Sequence, residues 1–277
     1  MQNQNINEAA TSEESVSRRD ALSLFGSMGA KLALAAAPLA MSFTARSLSA
    51  QTGPTAVQIL NFALTLEELE AEFYVRGLNA TGLIPAADRP IFENIRDHEL
   101  AHVAFLRTQL GSAAIAKPTF DFTGGNGSNA GPFAAFTNYD VFKVLAQGFE
   151  DLGVRAYKGQ APNLLALGQR ATLLQALRIH SVEARHASEV RRLRGNFTET
   201  APNKGWITGV AVDAPANPIA GIYAAGAAGF PAEDNTTHAG LNVTTVATGV
   251  SLGAVQEAWD EPLDMARVVA IADPFIV

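Results

Sequence analysis

The chain has no cysteine. That absence excludes disulfides, thiolate zinc sites, iron–sulfur clusters and cysteine nucleophiles together, so any metal would be held by carboxylate and imidazole. Basic charge is also scarce: 20 Lys and Arg stand against 27 Asp and Glu, a net charge of −7. A nucleic-acid partner is excluded on that balance, because binding to a phosphate backbone needs a surplus of Lys and Arg. A strongly apolar run long enough to span a bilayer is missing too. The best stretch, 21–43, is Ala-rich and broken by Lys31 and Pro38,. What is present is the composition of a folded globule, 48% hydrophobic and 17% charged over 277 residues. That is enough for one sizeable core and too apolar for disorder throughout.

The first fifty residues read as an address. A polar stretch, 1–16, leads into Ser17-Arg18-Arg19-Asp20-Ala21-Leu22, then the Ala-rich segment, then the small residues Ser47-Leu48-Ser49-Ala50. This resembles a twin-arginine export signal, which implies a periplasmic or extracellular protein, folded before export, with no membrane span after cleavage. A retained membrane anchor is the competing reading. Residues 1–50 carry four acids and four bases, so the mature chain keeps a charge of −7.

From residue 55 the pattern turns helical. Leu60, Ala63, Leu64, Leu69 and Phe73 recur at three- and four-residue spacings, which predicts a first helix from about Thr55 to Leu78,. A second is predicted from about Asp88 to Leu110, with Asp88 as N-cap, Pro90 in the first turn and Gly111 as the stop,. A Gly- and Pro-rich connection, 111–135, precedes a third helix, Tyr139 to Gly159; Pro162 marks a brief turn before a fourth, Asn163 to Arg194,. Two short links and one long one are the connectivity of a ferritin-like four-helix bundle with a single crossover. The all-α fold is therefore a bundle over 55–195 with a C-terminal extension, 196–277, packed on it. In that extension Trp206–Val210 and Val243–Val246 read as short strands or coil, and Leu252 to Ala272 as a last helix restarted at Pro262.

Two helices carry the same step, Glu99-Leu100-Ala101-His102 and Glu183-Ala184-Arg185-His186. Residues three apart share a helical face, so each carboxylate and imidazole can converge on one ion. The other two helices repeat Glu67 with Tyr74 and Glu150 with Tyr157, so the chain reads as two copies of one helical hairpin. The neighbours one turn away indicate which acids face inward. Glu67 lies between Ala63 and Ala71, Glu99 between Ile95 and Val103, Glu150 between Ala146 and Val154, and Glu183 between Ile179 and Ala187. Asp151, between Gln147 and Arg155, and Glu72, between Glu68 and Arg76, read as solvated faces with salt-bridge partners,. Four carboxylates in a dry core repel one another and lose hydration; two divalent cations cancel their charge. Buried ion pairs without metal are the alternative.

Leu64-Thr65-Leu66-Glu67-Glu68-Leu69-Glu70-Ala71, Asp97-His98-Glu99-Leu100-Ala101-His102, Phe149-Glu150-Asp151-Leu152-Gly153-Val154 and the tail segment Trp259-Asp260-Glu261-Pro262-Leu263 together resemble the ferritin-like di-metal carboxylate superfamily. Within it they are most similar to exported ferritin-like proteins described as stress- or desiccation-related. The resemblance implies two iron or manganese ions bridged by Glu99 and Glu183, with Glu67 and His102 completing one and Glu150 and His186 the other. Glu70 competes with Glu67, although the repeat aligns it with Gly153 instead.

Tyr74, Tyr157, Glu70 and His180 are candidates to stand behind the ligands, the tyrosines as hydrogen-bond donors, electron relays or core residues. His98 reads as a surface residue or a neighbour of the ligands, and His238 as solvent-exposed. Glu257, Asp260 and Glu261 read as a helix-start cluster,.

Such a site implies chemistry on dioxygen, peroxide or ferrous iron, ferroxidase- or catalase-like, in stress protection. The other expectation is a non-enzymatic envelope protein whose metal braces the fold or is stored. Haem is not expected, since the only Met outside the signal is Met265 in the tail; a homo-oligomer is compatible with the sequence.

Overall fold

The computed structural model describes residues 53–195, 204–210 and 220–277. The proposed export signal therefore lies outside the described residues, as do parts of the extension. Four long helices dominate: α1 (Ala56–Asn79), α2 (Arg89–Leu110), α3 (Tyr139–Ala166) and α4 (Arg170–Arg194). No helix among the described residues is long and apolar enough to cross a membrane.

Local chemistry sets the helix ends. Thr55 caps α1 in a reciprocal capping box with Gln58,. Asn138 caps α3 by accepting from the Asp140 and Val141 N–H groups,. Asp88 starts α2 without a side-chain cap bond; its carboxylate instead accepts the Tyr139 hydroxyl at 2.7 Å, tying the starts of α2 and α3 together. The boundary expected at Pro162 is displaced. Pro162 sits inside α3, which runs on to Ala166, and Gly168, with φ 71°, makes the turn into α4. The proline removes a single N–H donor, while Leu164, at 1% exposure, continues the buried stripe,.

The start of α3 meets the end of α1. A Cβ at Gly77 would overlap the Phe142 ring, so glycine is what allows that approach,. There Phe73, Tyr74, Phe92, Phe142 and Phe149 form the aromatic end of the core, with Phe73 and Phe142 stacked at 4.7 Å between centroids,. The crossover adds Phe120 and Phe122 to the same cluster.

The extension contains α5 (Ala220–Ala224), a hairpin of β1 (Thr237–His238) and β2 (Leu241–Asn242), α6 (Leu252–Gln256) and α7 (Met265–Ala272). Val243–Thr245 is a 3₁₀ turn, and 206–210 forms neither helix nor strand. The single helix expected over Leu252–Ala272 is two, because the backbone between them serves α3. Leu263 N–H donates to the Arg155 carbonyl at 3.1 Å, and Arg155 in turn donates to the carbonyls of Glu261 and Pro262.

That contact overturns the expected solvated face on α3. Gln147, Asp151 and Arg155 are all buried, at 0%, 1% and 0% exposure. Arg155 also donates to the carbonyls of Ile222, Ala225 and Pro231 and pairs with Glu233 at 2.9 Å. Asp151 accepts from Arg191 and from the Tyr223 hydroxyl, which itself accepts from Gln147. The polar stripe is dry because the tail supplies its partners. Gly159 completes the seam, since a Cβ there would collide with the Leu263 carbonyl.

Two further readings are corrected by the tail. His238 stacks on Trp259 at 4.0 Å, its side chain 17% exposed, rather than standing in solvent. Glu257 and Glu261 start no helix: Glu257 pairs with Lys204 and Trp206, Glu261 accepts from Asn235, and Asp264 is the cap of α7. The backbone carbonyl of Asp260 receives Lys158.

Candidate metal centre

Four carboxylates, one from each long helix, meet in the middle of the bundle. Glu67, Glu99, Glu150 and Glu183 each have 0% exposure. Apolar residues one turn away on either side leave each acid only the interior to point into. His102 and His186, three residues beyond Glu99 and Glu183, lie on the same faces.

The six side chains form two overlapping groups. Glu67, Glu99, His102 and Glu183 make one; Glu99, Glu150, Glu183 and His186 make the other, and within each the ligating atoms lie within 4.8 Å of one another. Glu99 and Glu183 are common to both. His102 Nδ1 stands 3.1 Å from Glu67, 3.2 Å from Glu99 and 3.3 Å from Glu183. His186 Nδ1 stands 2.8 Å from Glu99 and 3.1 Å from Glu150.

These donors fit divalent cations. Glu99 Oε1 and both oxygens of Glu183 are buried without a hydrogen-bond partner, although His186 Nδ1 lies within 3 Å of the first. Close atoms that are not aligned as donor and acceptor are what convergence on a shared ion produces. Hard carboxylate oxygens with imidazole suit iron and manganese alike.

The electrostatics of the ion-free chain point the same way. Burial, then the charge of Glu99, pushes Glu67 up to about 8. Burial and the carboxylates of Glu99 and Glu67 hold Glu183 well above the usual range. Burial acts on Glu99 in the same direction but is outweighed by the close imidazoles of His102 and His186, which bring it to about 2. Burial would lower His186, yet Glu150 and Glu99 hold it at about 11, and His102 is raised likewise by Glu183, Glu67 and Glu99. Without ions, the centre therefore compensates its negative charge with protons.

Around the six, the two hairpins cross-brace each other. Tyr74 on α1 donates its hydroxyl to Glu150 on α3, and Tyr157 on α3 donates to Glu67 on α1. Burial keeps both phenols neutral, well above their usual values. Glu70 is buried beside Glu183: an ideal Cβ at Gly153 would lie 3.3 Å from Glu70 Oε1 and 3.2 Å from Glu183 Oε2. The position that the repeat aligns with Glu70 is thus left bare to make room for it.

His98 Nδ1 meets His186 Nε2 at 2.9 Å, the rings stacked at 10°, and burial, then His186, lowers its pKa so that it can accept as the neutral imidazole. His180 faces elsewhere, with Nδ1 3.0 Å from the Val154 carbonyl, where it links α4 to α3. A cleft of about 270 Å³ between α2 and α4, lined by His98, Ala101, His102, Val182, Arg185 and His186, brings solvent to the histidine side of the centre.

Residues 55–196 match the family model of the ferritin-like domain, and that span covers the whole bundle. The chain belongs to the ferritin-like domain family. No curated protein matches the chain.

In this ferritin-like bundle the residues that the sequence pattern misplaced, on a solvated face, are those the tail covers. Gln147, Asp151 and Arg155 recur at four-residue steps on α3, and no periodicity marks their partners. A residue pair that was legible in principle is His98 with His186, since position 98 precedes Glu99 on the face of α2 that turns toward α4.

Proposed function

We propose that the protein is an exported di-metal carboxylate protein, holding two iron or manganese ions, that carries out redox chemistry on dioxygen or peroxide in stress protection. The observation that carries this reading is the pair of buried ligand groups that share Glu99 and Glu183. Export rests on Arg18-Arg19 and the segment after it, and the stress role on the resemblance to exported ferritin-like proteins.

Glu67 with His102 and Glu150 with His186 would each hold one ion, with Glu99 and Glu183 between them. Bound there, the ions would supply electrons and open coordination positions for a small oxidant. The chain's own residues do the rest. Tyr74 and Tyr157 fix the terminal carboxylates by donating to them, and His98 fixes the ring of His186,. The aromatic cluster above Tyr74 excludes water from that end, while the cleft beside His98 and Arg185 admits polar molecules to the other side.

Elemental analysis of protein purified from its native compartment tests the metal content. Oxygen evolution from peroxide and catalytic oxidation of ferrous iron by the loaded protein test turnover. A loaded protein inert in both assays, yet melting far lower after chelation, would replace this reading with a structural metal. Assembly into a shell carrying many ions per chain would replace it with storage.

A further inference from the structure

Below the ligand layer, where α1 and α4 begin and α2 and α3 end, the bundle does not close. Ala63, Leu66, Leu106, Tyr157, Ala176 and Ile179 line an apolar pocket, partly open to solvent, with room of about 20 Å³. Ala63 lies one turn before Glu67, Ile179 one turn before Glu183, and Leu106 one turn after His102, so the pocket abuts three of the ligand-bearing turns. The polar groups on its wall are engaged or peripheral. Tyr157 gives its hydroxyl to Glu67, Gln160 accepts from Asn163 at 3.0 Å, and Thr172 stands in the first turn of α4.

A space this size holds about one water-sized molecule, but a water there needs two or more polar partners. The wall offers too few, and an apolar pocket favours an apolar guest. Peroxide, a hydrogen-bonding molecule, would lose its hydration on entering. Dioxygen is of the right size, is uncharged, and loses almost nothing.

We propose that this chamber is a holding site for dioxygen, which reaches the centre past Tyr157 while polar solutes use the cleft at His98. The step is residence and passage, with no bond made or broken. The chamber stands on its own geometry; the identification of dioxygen as the oxidant rests on the di-metal reading above.

The test uses dissolved dioxygen as a paramagnetic probe of the metal-free protein, methyl-labelled at Leu, Ile, Val and Ala. Relaxation under dioxygen, compared with nitrogen, is expected to rise several-fold more at Leu66, Leu106 and Ile179 than at Ile95, Leu78 and Leu83, which are buried to the same degree and do not line the pocket. Ala176→Leu, which fills the pocket, should abolish the difference. In the loaded protein the same variant should raise KM for dioxygen and leave peroxide consumption unchanged.

Chamber methyls that relax no more than Ile95, Leu78 and Leu83 would overturn the proposal, and that comparison needs no variant. An Ala176→Leu protein that keeps the enhancement would overturn it as well. A loaded protein inert toward both oxidants would sink the di-metal reading and the oxidant with it, while the methyl comparison would still decide the chamber.

Discussion

Replacing Glu183 with Gln should stabilise the metal-free protein and destabilise the metal-loaded one relative to wild type. Glu183 is fully buried, neither of its oxygens has a hydrogen-bond partner, and burial with the charges of Glu99 and Glu67 keeps its carboxyl well above the ordinary 4.5. At pH 7 the unfolded chain releases that proton, whereas the raised value favours its retention in the ion-free fold. Holding it takes about 1.4 kcal/mol for each pH unit above 4.5, so about 3 kcal/mol at pH 7. The sign follows from proton binding. The fold binds more protons than the unfolded chain, so its stability is complete below pH 4.5 and falls as pH rises toward the folded value. Gln is neutral at every pH and escapes that loss. In chelator at pH 7, thermal or urea unfolding should therefore show Glu183→Gln more stable by up to about 3 kcal/mol, at most roughly 6–12 °C in Tm for a domain of this size. The gap should close near pH 4.5. With manganese or ferrous iron at about 100 times Kd, wild type should gain about 2.7 kcal/mol, and the variant, lacking a shared carboxylate, much less. An equal Tm for the two proteins in chelator at pH 7, or equal stabilisation by metal, would refute the idea that these acids stand in the core for the sake of cations.

Arg155→Met should cost about 3–5 kcal/mol, because it leaves Glu233 buried without its cation and several tail carbonyls without a donor,. Limited proteolysis should then cut within 220–277, and adding Glu233→Gln should recover part of the loss. Gly159→Ala should push the Leu263 carbonyl off α3 at a cost of about 1–3 kcal/mol, read by urea unfolding,. His98→Ala, at an exposed position, should leave Tm nearly unchanged but weaken one of two manganese-binding steps by about 10–100-fold in a calorimetric titration, with His98→Gln restoring part of the affinity,.

The bundle was legible because its signals are local. A 3.6-residue apolar stripe, a threonine cap and Glu-x-x-His on one face are all properties of a single helix, and apolar residues one turn from each acid marked Glu67, Glu99, Glu150 and Glu183 as inward. The same rule failed at Asp151. Its neighbours Gln147 and Arg155 are polar, and polar neighbours mark a solvated face only when nothing else covers it. Here the cover is backbone: carbonyls of Ile222, Ala225, Pro231, Glu261 and Pro262 accept from one guanidinium. Carbonyls carry no sequence signature, so an arginine that gathers five of them looks like any surface arginine. Pro162 misled for a related reason, since losing one N–H near the end of a well-packed helix is a smaller penalty than unpacking Leu164.

The duplicated hairpin makes the two ion positions nearly equivalent, and three departures from the repeat make them unequal. Glu70 faces Gly153, so a fifth acid crowds one side of the centre alone. His98 corresponds to Val182 in the other half, so among the described contacts it is the Nε2 of His186 that meets a second histidine. The tail docks on α3 through Arg155, stiffening the helix that carries Glu150 and leaving α1 to the crossover. Each departure acts on a different ligand, and two of them act on the Glu150–His186 side. An ion held there would have a stiffened helix and an oriented imidazole beside it; one held by Glu67 and His102 would lack both. Unequal sites of this kind fill in sequence rather than together, which is why loss of His98 should weaken one binding step and spare the other.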